Sequence, residues 1–170
     1  MALRQIREEG EEILRKRSRE VAIDDITGER IQELIDDMIE TMHSYNGVGL
    51  SAVQVGVLKQ VVVIDVEDEH GPYVLINPQI TKTKGEKECD EGCLSFPNQF
   101  GKVIRPTEVV VEFYNRKGKK EKLKARDLLA QAICHECDHL NGVLFVDKVL
   151  PGTLEYVTPE SWKIILEGEK

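Results

Sequence analysis

The sequence predicts an α+β domain in which mainly antiparallel strands surround a helix in the carboxyl-terminal half of the chain. Three observations support this prediction: an amphipathic helical pattern near the amino end, several short apolar segments separated by turn residues, and a second helical segment that bears the motif HECDH. At 170 residues, the chain has the usual length of one domain with a buried core. We therefore expect residues 1–170 to form a single domain.

The first helix is predicted from residue 29 to about residue 44. Apolar side chains recur there every three or four positions, which is the spacing of one face of an α-helix. These positions are Ile31, Leu34, Ile35, Met38, Ile39 and Met42. We expect the helix to bury this apolar face against the rest of the domain.

The strands are predicted between the two helices. The segment QVVVIDV (residues 60–66) has the composition of a buried strand, and YVLINP follows it across a turn at residues 70–72. The segments EVVVEFYN and KKEKLKA are joined by Arg116-Lys117-Gly118, a turn sequence that predicts a β-hairpin. Because strands joined by short turns pair in antiparallel fashion, the predicted sheet is mainly antiparallel.

The second helix is predicted from Asp127 to Leu140. Asp127 is expected to cap its amino terminus, because an aspartate side chain accepts hydrogen bonds from the free backbone N–H groups there. Asn141 and Gly142 are expected to end the helix, because both tolerate the left-handed conformation that follows many helices. The motif HECDH, residues 135–139, then lies in the last turns of this helix.

Composition and charge limit the kinds of function. The formal net charge is −8, so the chain has no basic surplus to neutralise phosphates, and we expect no specific nucleic-acid binding. The apolar runs are too short to span a bilayer, and no signal-peptide pattern opens the sequence. We therefore expect a cytoplasmic protein without membrane contact.

The cysteines fall in two close pairs, Cys89 with Cys93 and Cys134 with Cys137. In a cytoplasmic protein, cysteines serve as metal ligands, reactive thiols or core residues more often than as disulfides. One hypothesis is therefore a structural zinc site in which all of these thiolates bind one ion.

Helical geometry separates the cysteines of the HECDH segment from its histidines. At about 100° per residue, His135 and His139 are neighbours in or beside the apolar face of the helix, and Glu136 lies one step around it. Cys134 and Cys137 point away from the histidine pair. The histidines can share one ion, whereas the cysteines cannot join them without breaking the helix.

The pattern H-E-x-x-H on a helix is typical of two metal-bound imidazoles with a glutamate placed to act on a bound water. The alternative is two buried histidines that form hydrogen bonds in the core, although unpartnered imidazoles on an apolar face would be costly. A catalytic ion would still need a third protein ligand. Phe145 occupies the position at which metzincin proteases have a third histidine.

A third ligand has two potential sources. Glu155 or Glu160 would give the ligand set of a zincin-type endopeptidase, but neither lies in a recognisable motif. Cys93 follows Gly92 in the segment DEGCLSFP, and glycine permits a close approach of the backbone to another group. Cys93 could thus complete a Cys-His-His site, although by itself it would be interpreted as a small buried side chain.

A third segment, GVGLSAVQVG (residues 47–56), is rich in small residues. It lacks G-K-[ST] and has alanine at position 52, so it matches neither a phosphate-binding nor a dinucleotide-binding loop. Its small residues indicate the close approach of another group, and Gln54 offers a neutral side chain that can donate N–H bonds. A tight turn from helix to strand is the alternative interpretation.

Taken in order, GVGLSAVQ, EGCLS and HECDH closely resemble the three motifs of the peptide deformylase family. The resemblance extends from the amino terminus to about Leu150. It implies a metal-dependent hydrolase that removes the N-formyl group from the amino-terminal formyl-methionine of newly synthesised proteins and releases formate. Its partners would be N-formyl-methionyl nascent polypeptides, and the ribosome is a further partner to consider.

The resemblance also implies catalytic roles for individual residues. The ion would be Fe(II), with Zn, Ni or Co as alternatives in purified protein, and its ligands would be Cys93, His135 and His139. Glu136 would act as general base and acid. The Gln54 side-chain amide and the Leu94 backbone N–H would stabilise the oxyanion.

The substrate-binding residues follow from the same resemblance. Gly49 and the strand around Gly92 would bind the peptide main chain. Glu91 is expected to form a buried pair with Arg105 that supports the loop. The pocket for the methionine side chain would be formed by Val48, Cys89, Glu91, Leu128 and His135.

The sequence departs from the family pattern at three positions. Ser51 stands where the family usually has alanine, Cys134 stands where glutamine commonly precedes the first histidine, and Cys137 occupies a variable position. None of these changes removes a catalytic group. The final segment, residues 151–170, lacks the long charged helix of many members and is expected to be a divergent tail.

Overall fold

The computed structural model describes residues 2–157, which contain two long helices and eight strands. Helix α1 spans Glu29–Ser44 and helix α2 spans Asp127–Leu140. The strands are β1 (Gly49–Ser51), β2 (Val61–Ile64), β3 (Tyr73–Lys84), β4 (Lys87–Cys93), β5 (Phe96–Arg105), β6 (Glu108–Tyr114), β7 (Lys120–Arg126) and β8 (Glu155–Tyr156). Short 3-10 helices lie at Glu12–Arg15, Ile23–Asp25, Ala52–Val55 and Phe145–Asp147. Within this part of the chain, no helix is long and apolar enough to cross a membrane.

The strands form two antiparallel sheets. The larger sheet has five strands in the order β1-β2-β3-β6-β7, and the smaller has three in the order β4-β5-β8. All neighbouring strands in both sheets run antiparallel. The predicted α+β fold with mainly antiparallel strands is therefore confirmed.

The larger sheet packs against both helices because strand β2 is apolar on its two faces. Val61 and Val63 belong to the apolar cluster that contains the buried face of α1. Val62 and Ile64 belong to a second cluster, which includes Ile133 of α2. Because successive side chains of a strand alternate in direction, a continuous apolar run is what a strand buried on both faces requires.

A third apolar cluster holds the smaller sheet next to the segment that follows α2. Phe96 of β5 contacts Phe145 edge to face, with ring centroids 5.5 Å apart. Val103, Leu14 and Leu144 belong to the same cluster. Aromatic pairs of this geometry contribute about 0.5–1.5 kcal/mol beyond the area that they bury. This packing helps to fix the β4–β5 hairpin against the carboxyl-terminal part of the domain.

Both predicted helices are confirmed, with one correction at the start of α2. Helix α1 has the predicted bounds, and α2 ends at Leu140, followed by Gly142 in the left-handed region at φ 73°. The predicted cap at Asp127 is wrong, because Arg126 occupies the cap position and no side-chain hydrogen bond caps the helix. The Asp127 N–H instead donates to the Thr107 carbonyl at 3.0 Å, so strand pairing leads directly into α2.

The β4–β5 hairpin has no counterpart among the predicted strands. Lys87, Glu88 and Asp90 of β4 are exposed and charged, and Glu91 is the one buried residue of that strand. The alternation of apolar and polar residues that predicts a strand is therefore absent from β4. Its position is set by contacts with the rest of the molecule.

The amino-terminal segment is tied to helix α1 through Asp37. The Ala2 N–H donates to Asp37 Oδ1 at 2.7 Å, and Arg4 Nε donates to Oδ2 at 3.0 Å. Burial alone would raise the pKa of Asp37, but these hydrogen bonds and the Arg4 charge outweigh burial and lower the pKa below its ordinary value. The ionised carboxylate therefore stabilises the folded chain.

Asp37→Asn should lower the free energy of unfolding by about 1–2 kcal/mol at neutral pH, because hydrogen bonds to a charged group are lost. A depressed folded-state pKa gives a contribution that is present above the unfolded pKa and lost as the pH falls through the folded pKa. The difference in the free energy of unfolding between the unmodified protein and Asp37→Asn should therefore shrink below about pH 4. Urea unfolding of both proteins at neutral pH and at about pH 3 measures it.

Asp36→Asn is the matched control on the same helix. Its carboxylate binds Arg116 at 2.8 Å, but both side chains are more than one-third exposed. The control should cost less than about 1 kcal/mol, as exposed ion pairs do. Equal losses in the two variants would contradict the role given to Asp37.

Candidate active site

Three potential metal ligands converge between strand β4 and helix α2. Cys93 ends β4, and His135 and His139 lie one turn apart on α2. Their ligand atoms all lie within 4.8 Å of one another. The Cys93 Sγ is 3.3 Å from His139 Nε2, which is 3.2 Å from His135 Nε2. The fold thus brings the cysteine to the histidine pair.

This donor set fits a divalent transition metal. The two Nε2 atoms face each other. In a hydrogen bond between them, one ring nitrogen donates a proton and only the other uses its lone pair as an acceptor. Burial lowers the pKa of His139 well below its ordinary value, and the neighbouring His135 lowers it further, so this imidazole is neutral and available as a ligand. One thiolate and two imidazoles leave a position for water or substrate, as in catalytic sites.

A buried chain of charged groups orients His135. His135 Nδ1 lies 2.5 Å from Glu91 Oε1, and the Arg105 guanidinium donates to both oxygens of that carboxylate at 2.5 and 3.0 Å. Arg105 Nη1 also donates to Asp138 of α2 at 2.7 Å. Because Glu91 holds Nδ1, Nε2 is the ring atom that faces the other ligands. The predicted pair of Glu91 and Arg105 is confirmed.

The same chain of buried charged groups sets the protonation states of Glu91 and His135. Burial raises the pKa of Glu91, but hydrogen bonds from His135 and Arg105 outweigh burial and bring the pKa to about 2. Burial lowers the pKa of His135, but Glu136, Cys93 and Glu91 outweigh burial and raise it well above its ordinary value. A metal ion at His135 Nε2 would therefore compete with a proton.

Glu136 lies beside the three ligands but is not part of their cluster. Its Oε2 is 4.0 Å from His135 Nε2, and its Oε1 is buried without a hydrogen-bond partner in the described chain. Burial raises the pKa of Glu136 to about 7. Gly49 leaves the space for this carboxylate, because a Cβ at that position would lie 2.7 Å from Glu136 Oε2.

The Gln54 side-chain amide is held at both ends. Its Nε2 donates to Ser95 Oγ at 3.0 Å and to Cys93 Sγ at 3.4 Å. Its Oε1 accepts hydrogen bonds from the Ser51 N–H and the Ser51 hydroxyl, each at 3.0 Å. The N–H end of the amide is therefore turned toward the ligand cluster.

An open cleft of about 1040 Å³ leads to these groups. Val48 and Leu128 are 39% and 49% exposed, so their apolar side chains are accessible to a bound molecule. The Cys89 thiol lies 3.6 Å from the Lys87 carbonyl oxygen, and Cys89 is absent from the cleft lining. The predicted site residues that line the cleft are Val48, Gly49, Gln54, Glu91, Gly92, Cys93, Leu94, Leu128, His135 and Glu136.

The structure separates the alternative ligands from the cluster. Cys134 is buried in the apolar cluster of α2, where Cys137 packs against it. Burial raises the pKa of Cys134 to about 11, so its thiol stays protonated at neutral pH. Glu155 is exposed on β8 and Glu160 lies outside the described residues. Over residues 2–157, no other group of three or more His, Cys, Asp or Glu side chains converges in this way.

Some residues that support the site were not predicted. Ser95 is fully buried and binds the Gln54 amide, and its place in the EGCLS motif was the available signal. Gln131 donates to Glu91 Oε2 at 3.3 Å, and its position one helical turn before His135 could have suggested this contact. The amino-terminal segment around residues 5–11 also borders the cleft, which no local pattern indicates.

Comparison with known proteins identifies the family. The family model described as polypeptide deformylase matches residues 3–153. The chain belongs to the polypeptide deformylase family. The peptide deformylase of Acetivibrio thermocellus is 57% identical over 150 residues, which cover 88% of this chain and 85% of the relative. Peptide deformylase 1 of Clostridium acetobutylicum is 56% identical over 149 residues, which cover 88% of this chain and 96% of the relative.

Solved deformylase structures have the same fold. The peptide deformylase from Legionella pneumophila has a TM-score of 0.83 at 42% identity, with 88% of each chain covered. The enzyme from Thermotoga maritima has a TM-score of 0.84 at 38% identity, with 89% of this chain and 100% of the other covered. Deformylases are hydrolases that remove the N-formyl group from nascent peptides, and dependence on a metal is typical of the family. The Cys-His-His cluster of this chain agrees with that dependence.

Cys93→Ala should lower the metal content about tenfold or more, because two imidazoles leave the ion one protein ligand short. The measurement is metal per chain by plasma mass spectrometry after dialysis against a weak chelator. Cys134→Ala and Cys137→Ala are the matched controls and should keep the metal, since neither thiol belongs to the cluster. A full metal content in Cys93→Ala, or metal loss in both controls, would contradict this assignment of ligands.

Proposed function

We propose that this chain hydrolyses the formamide bond of N-formyl-methionyl polypeptides and releases formate and a free methionyl amino group. The observation that carries the proposal is the cluster of Cys93, His135 and His139 beside Glu136 and Gln54 in an open cleft. An amide hydrolase needs ligands for an electrophilic ion, a proton-transfer group and an oxyanion donor, and these residues can supply all three. Membership of the deformylase family supports the same reaction.

The metal ligands in this proposal are Cys93, His135 and His139. When bound there, a divalent ion lowers the pKa of water and polarises the formyl carbonyl. The sulfur ligand favours a transition metal over magnesium or calcium, which prefer oxygen ligands. We assign Fe(II) from the family resemblance, with Zn, Ni or Co as alternatives in purified protein.

Glu136 acts first as general base and then as general acid. Its carboxylate takes a proton from the water that attacks the formyl carbon, and it passes this proton to the leaving amine when the C–N bond breaks. The position of Oε2 near His135 Nε2, at 4.0 Å, supports this role. The raised pKa, about 7, suits a group that exchanges protons near neutral pH.

Gln54 and Leu94 stabilise the negative charge that develops on the formyl oxygen. The Gln54 amide is oriented by its four hydrogen bonds, and its Nε2 lies at the ligand cluster. Leu94 follows Cys93 in the turn between β4 and β5, so its backbone N–H is available next to the same cluster. Losing one oxyanion donor commonly costs about 10²–10³ in rate.

The substrate binds along the cleft. Gly49 and Gly92 are proposed to contact the peptide main chain, and both line the cleft. The Glu91 carboxylate supports the methionine pocket by holding His135 in place. Cys89 stays in the proposed methionine pocket, although it does not line the open cleft. The proposed pocket is formed by Val48, Cys89, Glu91, Leu128 and His135.

Nascent chains as substrates imply a cytoplasmic enzyme that works near the ribosome. We propose transient contact with the ribosome and no stable association with membranes or with a specific nucleic acid. The net charge of −8 supports the last point. We also propose that residues 1–170 form a single catalytic domain with a divergent tail at residues 151–170.

Glu136→Gln should lower turnover by roughly 10²–10⁴ or more and leave the metal in place, because it removes the proton-transfer group but no ligand. Formate release from a formyl-methionyl tripeptide, on protein purified without oxygen, measures turnover. Metal content and affinity for the methionyl product are measured on the same samples. Deformylation by the unmodified protein in this assay also tests the proposed function itself.

Gln54→Ala is the companion variant. It should lower turnover because it removes a donor to the oxyanion, while Glu136 still acts as the base. Its residual activity should follow the pH profile of the unmodified enzyme, whereas that of Glu136→Gln should not. An empty metal site in Glu136→Gln would show that the glutamate is a ligand. Turnover close to that of the unmodified enzyme would place the general base elsewhere.

The iron-loaded enzyme should lose activity in air faster than the nickel-loaded enzyme. A thiolate ligand of Fe(II) is open to oxidation, which would take Cys93 to a sulfinic or sulfonic acid. Activity over time in air gives the lifetimes, and mass spectrometry of the Cys93 peptide identifies the product. Equal lifetimes for the two metal forms would contradict iron-dependent oxidation at Cys93.

A further inference from the structure

The Ser51 hydroxyl is directed at the Gln54 amide and not at the cleft. Ser51 is 0% exposed at the end of β1, and it is absent from the residues that line the cleft. Its Oγ donates to Gln54 Oε1 at 3.0 Å. The Ser51 backbone N–H donates to the same oxygen, also at 3.0 Å. A buried hydroxyl therefore adds a second donor to an oxygen that already has one.

The partners at the two ends of the amide are complementary. Gln54 Oε1 faces the two Ser51 donors, and Nε2 faces Ser95 Oγ and Cys93 Sγ as acceptors. A rotated amide would place its NH₂ group against the Ser51 N–H, donor against donor. Hydrogen bonds accepted by Oε1 also polarise the amide, which strengthens donation from Nε2. The Ser51 hydroxyl thus contributes to both the orientation and the donor strength of Gln54.

We infer that Ser51 is a positioning residue that holds the Gln54 amide ready as an oxyanion donor before the substrate binds. This inference rests on the proposed role of Gln54 in deformylation. A donor that is already in position is effective because it needs no rearrangement as charge develops. Since Ser51 does not line the cleft, its effect on the reaction passes through Gln54.

Ser51→Ala should lower kcat roughly three- to tenfold, the range that corresponds to one net hydrogen bond. KM and metal content should stay at the values of the unmodified enzyme, because neither substrate nor ion is contacted. In a Gln54→Ala background, the same substitution should cause no further loss of kcat. An equal loss of kcat in both backgrounds, or no loss of kcat in the otherwise unmodified enzyme, would overturn the inference.

A second measurement follows the Gln54 side chain directly and does not depend on turnover. The NH₂ protons of Gln54, observed by NMR in the zinc-loaded protein, should exchange slowly with water when the amide is held at both ends. In Ser51→Ala we expect their exchange to be faster by roughly threefold or more, in line with one lost hydrogen bond. Ser95→Ala, which removes a partner at the other end, should perturb the same resonances.

Ser18→Ala is the matched control. Ser18 is a buried serine, 4% exposed, and its hydroxyl has no hydrogen-bond partner among residues 2–157. This control should leave kcat and the Gln54 resonances unchanged. Gln54 resonances that do not respond to Ser51→Ala would refute the positioning role. An unmodified protein that releases no formate would instead refute the proposed function, while the NMR result would still decide whether Ser51 holds the amide.

Discussion

The buried ion pair between Arg105 and Glu91 is the interaction on which the active site depends. Both side chains are almost fully buried, and removing one partner of such a pair costs about 3–5 kcal/mol because the other charge is left without compensation. The pair also reaches across elements, since Arg105 binds Asp138 and Glu91 binds His135. The β4–β5 hairpin is thereby locked to helix α2. This ion pair acts together with the packing of Cys93 against the cluster of Phe96 and Phe145 to bring Cys93 to the histidines.

The spacing of residues along β4 and α2 helps to explain how the candidate metal ligands come together. Glu91 and Cys93 are two residues apart on β4, and both side chains reach the histidines of α2, although the pairing of β4 with β5 is irregular between Gly92 and Cys93. His135 and His139 are four residues apart on α2, so they lie on the same face of the helix. Where β4 meets α2, Glu91 orients His135 and Cys93 joins the histidines in the candidate metal site. Gly92, which lies between these two residues of β4, packs closely against the Phe100 ring. A Cβ at this position would lie 2.7 Å from the ring.

Local patterns were enough to predict α1, α2, β2 and the β6–β7 hairpin, because each has a clear apolar period or turn sequence. They were not enough for β4, because its exposed charged residues give no strand pattern. They also failed at the start of α2, where β7 continues directly into the helix. The helical period separated His135 and His139 from Cys134 and Cys137 without knowledge of the fold. The choice of Cys93 required the family motifs, because a contact between distant segments has no local signal. The partners of the Gln54 amide depend on side-chain placement, which motifs do not specify.

The missing side chain at Gly49 limits how this enzyme can evolve under an inhibitor. Even a methyl group there would meet the Glu136 carboxylate, so a larger residue could narrow the cleft only by displacing the proposed proton-transfer group. Escape from an inhibitor by mutation at this position would therefore be tied to loss of turnover. Val48 and Leu128 are exposed and belong to the proposed methionine pocket, so substitutions there would change substrate binding without displacing Glu136. Inhibitors that draw most of their affinity from contacts near Gly49 should therefore be harder to evade than inhibitors that depend on the methionine pocket.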